Sequence, residues 1–241
     1  MSLIVPIMKP VISTPSGGLL TYLRLSTELN EASGSTVYDS SDNNNDGTNV
    51  NCTVNQTGIL DKCYSFPGSN SGIEIPDNNS LDLTEAITVC SWVYLSDVAS
   101  GGVIAAKRSN AYYAWDFSSS RVSGYAYFGP NNNAYRANTG ESIPIGEWCM
   151  LTGTFDRSSV KVYINGTLKG SYTYNTAINT NSEPVYIGRR GSGFTFNDTQ
   201  YWGGLIDATR IFSIALDATA ITWLWNSGNG RTYSELQNYS I

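Results

Sequence analysis

Val160-Lys-Val-Tyr-Ile-Asn-Gly-Thr-Leu-Lys169 decides the fold class. Val160, Val162 and Ile164 alternate with Lys161 and Tyr163, the two-residue period of a strand with one buried face. Asn165-Gly166 follows with two residues that tolerate positive φ, as a type I′ turn requires. The stretch therefore predicts a tight β-hairpin.

The same pattern of short apolar runs extends in both directions. Strands are predicted near 20–25, 62–67, 72–76, 86–95, 102–107, 111–118, 121–128, 148–156, 159–165, 168–174, 184–189 and 201–213. Turn signals separate them, among them Asn43-Asn44-Asn45-Asp46-Gly47, Pro67-Gly68, Gly101-Gly102 and Gly129-Pro130. Closely spaced strands with this punctuation predict an all-β sandwich or barrel. One helix is expected: Asp217 caps Ala218–Asn226, Gly228 stops it, and Ile221, Leu224 and Trp225 share a face.

Residues 1–18 differ from the rest. Pro6, Pro10 and Pro15 favour extended backbone, and Ser16-Gly17-Gly18 makes a joint. An extended arm is expected there, contacting a protein partner in an assembly, with 19–241 as the folded domain. Pro6, Lys9, Pro10 and Pro15 interrupt the apolar run, so no signal peptide is expected. No segment is long enough to span a bilayer, so membrane insertion is not expected. The expected location is a particle such as a virion surface, or otherwise the cytoplasm.

A net charge of −6 and the lack of a basic stripe argue against nucleic acid as a partner. The chain has no histidine. That removes His-based triads, imidazole bases and most zinc or copper sites. The four cysteines, Cys52, Cys63, Cys90 and Cys149, form no C-x-x-C pair. Cys52 and Cys63 flank a turn at Gly58, which leaves their pairing open. Cys90 and Cys149 lie in predicted core strands and read as buried thiols.

Four segments, in order, resemble the laminin-G-like, concanavalin-A-like jelly-roll family, which includes the pentraxins. Ala32-Ser-Gly-Ser-Thr-Val-Tyr-Asp-Ser-Ser-Asp-Asn-Asn-Asn-Asp-Gly47 is similar to the family's opening strand and loop. Tyr64 to Asp77, with Leu81-Asp-Leu83 and Ile87-Thr-Val-Cys-Ser-Trp-Val93, resembles its F-x-G, I-x-I-P, L-x-L and S-x-W-V core. Trp148 to Gly166 resembles its central hairpin. Gly204-Leu-Ile-Asp-Ala-Thr-Arg-Ile-Phe-Ser-Ile-Ala-Leu216 resembles its closing strand. The resemblance covers about residues 20–228 and implies a two-sheet antiparallel jelly-roll sandwich with one short C-terminal helix. It also implies a family that is mostly non-catalytic, and a structural role for Asp207 as a buried acceptor of backbone N–H groups.

Catalysis, metal and cofactor are not expected. The E-x-D-x-x-E strand of related glycosidases is missing: Glu74 and Asp77 flank a proline, and Asp82 and Glu85 sit in a turn. The positions that hold calcium in pentraxin-like relatives correspond to Asn70, Ser71, Arg190, Gly191 and Ser192, which carry no carboxylate. The acidic Asp39–Asp46 loop has the acids to hold an ion, but it reads first as a turn whose Asn and Asp side chains bond their own backbone.

Binding residues are sought in the aromatic middle, because sugars stack on rings while polar groups read their hydroxyls. Period-two reading places Tyr113, Trp115 and Phe117 in the core. Tyr112, Asp116, Tyr135 and Arg136 become the candidate exposed contacts, with Asn70, Arg189 and Arg190 at the rim. The expectation is a lectin-like module for glycans or cell-surface polysaccharide, displayed on a large assembly. The alternative is a decoration protein anchored by its arm without ligand binding.

Overall fold

Asn165 and Gly166 both adopt left-handed backbone, at φ 51° and 78°, and join two antiparallel strands as the sequence predicts. The structure is a computed structural model that describes residues 18–109, 112–191 and 201–241. Apart from Gly18, the expected arm lies outside the described residues.

In chain order the strands are β1 (Leu23–Thr27), β2 (Thr36–Val37), β3 (Gly47–Val50), β4 (Thr53–Thr57), β5 (Lys62–Pro67), β6 (Gly72–Ile75), β7 (Ile87–Tyr94) and β8 (Val103–Arg108). They continue as β9 (Tyr113–Ser119), β10 (Tyr125–Pro130), β11 (Ala137–Ser142), β12 (Trp148–Phe155), β13 (Ser159–Ile164), β14 (Thr167–Thr173), β15 (Val185–Ile187) and β16 (Gly203–Phe212), before helix α1 (Ala218–Trp225). The first sheet runs β14-β13-β12-β7-β16-β5-β4, with β1 also paired to β16. The second runs β11-β10-β9-β8-β15-β6-β3-β2. Every described strand pair is antiparallel. This is the jelly-roll sandwich.

The two sheets differ in what covers them. Strand β7 is buried on both sides. Ile87, Val89 and Val93 enter the inter-sheet core with Trp115, Phe117, Phe128 and Ile187, whereas Cys90 and Trp92 face the opposite way. There they meet Ile221 and Leu224 of α1, together with Leu19, Phe212 and Leu236. The C-terminal segment therefore closes the outer face of the first sheet. Asp217 caps α1 by accepting from the Ala220 N–H at 2.8 Å. The helix ends at Asn226 in left-handed backbone, two residues before the expected Gly228.

Several expectations need correction. The segment 20–25 begins as a 3-10 helix, Leu19–Tyr22, before β1 starts. Residues 121–124 form a turn that ends at Gly124 with φ 69°, so β10 starts only at Tyr125. β2, β3, β4 and β11 were not anticipated. Cys52 and Cys63 are buried free thiols, as are Cys90 and Cys149. The register explains this: Gln56 stands opposite Cys63, which leaves Cys52 four positions further along. A disulfide needs Cα atoms within about 7 Å.

The Asp39–Asp46 loop does bond its own backbone. Asp39 accepts from the N–H groups of Ser41 and Asn45, and Asp46 from that of Asp39, at 2.8–2.9 Å. Asp207 is wholly buried and accepts from the N–H groups of Ile59 and Leu60.

Candidate functional site

Strand register builds one row across the outer face of the second sheet. Glu74 on β6 stands opposite Tyr186 on β15, Tyr186 opposite Ala106 on β8, Ala106 opposite Asp116 on β9, and Asp116 opposite Gly129 on β10. Asp116 thus has the two smallest side-chain neighbours available, Ala106 and Gly129. The gap they leave is filled from the side.

Asp116 is 0 % exposed. This corrects the expectation of an exposed contact. Alternation did place the residue on the outward face, but two arginines lie across it. Arg108 donates through Nη1 to Asp116 Oδ2 at 3.2 Å, and Arg190 Nε lies 3.3 Å from the same oxygen. The other oxygen, Oδ1, is buried with no hydrogen-bond partner. A buried acceptor normally finds a donor, because leaving one unmade costs about 1–3 kcal/mol.

Tyr113 is the second correction. It was expected in the core, but a register shift between Lys107 and Arg108 sets it opposite Arg108 at the strand's end. It is half-buried there. The Arg108 guanidinium lies 3.9 Å from the ring centroid, and the Tyr113 hydroxyl donates to Asn133 Oδ1 at 3.3 Å. Burial pushes the Tyr113 hydroxyl well above its ordinary range and the Asp116 charge adds to the push. The guanidinium groups of Arg108, Arg136 and Arg190 pull the other way. Burial also lowers Arg108 from its usual value, opposed mainly by the attraction of Asp116.

The pairing of arginine with tyrosine repeats along the row. Arg136 lies 4.7 Å from the Tyr127 ring centroid, and Arg189 lies 5.1 Å from that of Tyr186. Arg189 also pairs with Glu74 at 2.9 Å. The Nε of Arg136 is buried with no hydrogen-bond partner. Each guanidinium carbon lies over an aromatic ring, a contact that arginine makes more often than lysine.

The structure brings Asp116, Arg136, Arg189 and Arg190 to this face, and leaves the other candidates apart. Tyr135 stacks on Tyr174 at 4.5 Å, where Asn131 donates to the Tyr174 hydroxyl at 2.9 Å. Tyr112 is 62 % exposed in the β8–β9 turn. Asn70 is exposed in the β5–β6 turn, two residues before Gly72, against which the Arg189 side chain packs. Arg108, Tyr113, Tyr127, Tyr186, Asn133 and Glu74 were missed. The β8–β9 hairpin register, counted back from its turn, was the signal that joins Arg108 to Asp116.

The remaining acids of the region are engaged elsewhere. Lys107, 1 % exposed, contacts Asp77, lies 3.4 Å from Asp82 and donates to the Glu183 carbonyl at 2.9 Å. Glu85 pairs with Arg157 at 2.8 Å. Among the described residues no group of three or more Cys, Asp or Glu side chains is placed to hold a metal ion.

None of the curated proteins matches the chain by sequence. Solved structures do match by shape. The binding domain of Paraclostridial Mosquitocidal Protein 1 superposes with a TM-score of 0.67 at 18% identity, over 87% of this chain and 53% of that one. A botulinum neurotoxin type C structure, described as dependent for cell entry on two ganglioside molecules, gives 0.65 at 19%, over 87% and 52%. The chain thus spans about half the length of these toxin chains. Domain 4 of AbnA, an extracellular arabinanase from Geobacillus stearothermophilus, was solved with arabinotriose. It gives 0.63 at 22%, over 83% of this chain and 97% of that one. At these identities the likeness is one of fold. Family comparison matches residues 67–222 to the laminin G grouping described as the concanavalin A-like lectin/glucanases superfamily. Two antiparallel sheets, the ordered motifs and that match together place the chain in the concanavalin A-like lectin/glucanases superfamily.

Proposed function

We propose that this domain is a non-catalytic, lectin-like module that binds glycans on the outer face of its second sheet, around Asp116. One observation carries the reading: a buried carboxylate that ties two arginines together on the outward side of the second sheet, bordered by further arginine and tyrosine side chains. Asp116 is itself covered, so it acts by fixing Arg108 and Arg190 at the face, and polar groups fixed in this way give a pocket its orientation. The AbnA domain, matched along nearly its whole length, binds an oligosaccharide, which supports the reading by analogy of fold.

The spacing of acids supports the absence of glycosidase chemistry. Glu74 and Asp116 are separated by three strand intervals, or roughly 14 Å. The paired carboxylates of glycosidases stand about 5–9.5 Å apart.

A glycan array probed with the full chain and with Asp116→Asn tests the reading. The native protein is expected to bind a subset of glycans at millimolar affinity or better. Asp116→Asn is expected to lose at least tenfold and, because a buried counter-ion is lost, also to melt earlier, so its binding is compared at a temperature where circular dichroism shows it folded. Failure of the native protein to bind any glycan at millimolar concentration overturns the reading.

Display on a larger assembly through residues 1–18 is a second reading. One feature favours it: Gly18 is bridged to Ser240 and Leu19 is wholly buried, so the joint to that segment is held against the domain. Deleting residues 1–17 and measuring incorporation into a particle tests it; unchanged incorporation rules it out.

A further inference from the structure

We infer that the cleft beside the β1–β2 connection is a second saccharide site, separate from the Asp116 face, and that it takes uncharged sugars. Tyr38 offers the stacking ring, and Glu28, Asn30, Glu31 and Ser40 meet the hydroxyls.

These five residues line a cleft of about 380 Å³. Small-ligand sites occupy about 300–1,000 Å³. Tyr38 follows β2, the strand at the far edge of the second sheet. Five strand intervals, or roughly 24 Å, separate β2 from β9 and its Asp116.

Three observations point to a ligand. First, Tyr38 is 60 % exposed, and no ring or guanidinium of the described residues rests on it. A bare aromatic face beside polar groups is what the apolar face of a sugar stacks on. Second, the backbone that builds the cleft is held in an uncommon conformation. Leu29 is wholly buried in the core yet has φ 54°. Left-handed backbone is a genuine outlier for a bulky side chain, and such outliers cluster where ligands are clamped. Its neighbours on either side, Glu28 and Asn30, both line the cleft. Third, the polar groups are fixed and still have bonding capacity. Glu31 accepts from the Tyr38 N–H and from the Tyr64 hydroxyl, each at 2.9 Å and one on each oxygen. Glu28 is held by Arg210, whose Nη2 lies 2.9 Å from Oε2. Asn30 Oδ1 accepts the Lys62 N–H at 2.9 Å, which leaves the exposed Asn30 Nδ2 group to donate. A carboxylate oxygen with one bond can accept another.

The charge of the cleft selects its ligand. Fixed acceptors match hydroxyl donors, and because they are already immobile less rotamer freedom is lost on binding. None of the lining residues is a cation, and the nearby Arg210 is occupied by Glu28. Asp39 and Asp42 follow Tyr38 in the chain. A carboxylated or sulfated sugar would therefore meet like charge here, with no cation among the lining residues to receive it.

Two-dimensional NMR of the labelled full chain tests this, with lactose, maltotriose, xylotriose, arabinotriose and sialyllactose as probes. Saturable shifts are expected at the amides of residues 28–31 and 38–40 with at least one neutral probe at millimolar concentration, and none there with sialyllactose. Tyr38→Ala removes an exposed ring and is expected to weaken that binding at least tenfold with unchanged melting temperature. Tyr38→Phe keeps the ring and is expected to bind within about twofold of native. Asp116→Asn is expected to leave the shifts at this cleft in place, so failure of the first site and failure of this one read separately. If Tyr38→Ala does not fold, the position of the shifts on the native chain decides. The inference is overturned by the lack of saturable shifts at these amides with every neutral probe, by binding indifferent to Tyr38→Ala, or by saturable shifts there with sialyllactose.

Discussion

The carboxylate of Asp207 accepts the backbone N–H of Leu60 at 2.9 Å, across 147 positions of sequence. The same oxygen accepts from Ile59 at 2.8 Å, so one side chain of β16 fixes the turn that leads into β5. Burial nevertheless outweighs these two bonds and raises the carboxyl to about 7 from an ordinary 3.8.

That shift sets a pH dependence. Between about pH 4 and 7 the folded protein holds a proton on Asp207 that the unfolded chain has released. Stability contributed by this residue is therefore full below pH 4 and is lost as pH rises to 7, by on the order of 4 kcal/mol. Asp207→Asn keeps an acceptor for both N–H groups and removes the charge. The difference in urea midpoint between native and Asp207→Asn protein should shift in favour of the variant across this interval. Parallel midpoints from pH 4 to 8 would show that Asp207 does not titrate there.

Lys107 predicts an asymmetry between partners. It is 1 % exposed, whereas Asp77 and Asp82 keep 33 % and 23 % exposure. Lys107→Met leaves two partly exposed carboxylates, of which only the buried Asp82 Oδ1 is closed to water, and should cost about 1–2 kcal/mol. Asp77→Ala deprives a buried ammonium of its nearest counter-ion, and should cost about 2–4 kcal/mol. Denaturant unfolding of both variants checks the order; a reversed order contradicts the account of the site.

Gly129 stands beside Asp116 and against the start of β11. A Cβ there would lie 2.3 Å from the Tyr135 carbonyl oxygen and 2.9 Å from the Arg136 Cα. Gly129→Ala should cost about 1–3 kcal/mol by overpacking against backbone. The same change should weaken glycan binding by moving Arg136. Native stability together with native binding in this variant would mean that the turn yields freely.

The four thiols predict redox indifference. All are buried and unpaired, and burial raises those of Cys52, Cys63 and Cys149 to about 12. Ellman's reagent should find none in the native protein and four after unfolding, and reductant should leave the melting temperature unchanged. Rapid labelling of the native state would contradict the burial.

Legibility in the sequence followed side-chain chemistry. β7, β12 and β13 were visible because both faces or one whole face is apolar. β3 (Gly-Thr-Asn-Val), β4 (Thr-Val-Asn-Gln-Thr) and β11 (Ala-Asn-Thr-Gly-Glu-Ser) are polar strands at or near sheet edges, and they carry no such signal. The candidate site was half legible. Alternation found the face of Asp116, but the cover comes from Arg108 on a neighbouring strand and Arg190 some seventy residues away. Tyr113 was misplaced by a register shift that no period can reveal. Asp207 was placed correctly because the resemblance to a family located it, where spacing alone did not.

The bridge between Gly18 and Ser240 brings the domain's two ends side by side, on the flank where Tyr239 packs beneath α1. Asp116 and its arginines look out from the opposite flank, a whole sandwich away. A tether, tag or fused module attached at either end would therefore hang behind the arginine row and leave it unobstructed. The same proximity would let a few linker residues weld the ends into a permuted chain reopened at Asn165-Gly166.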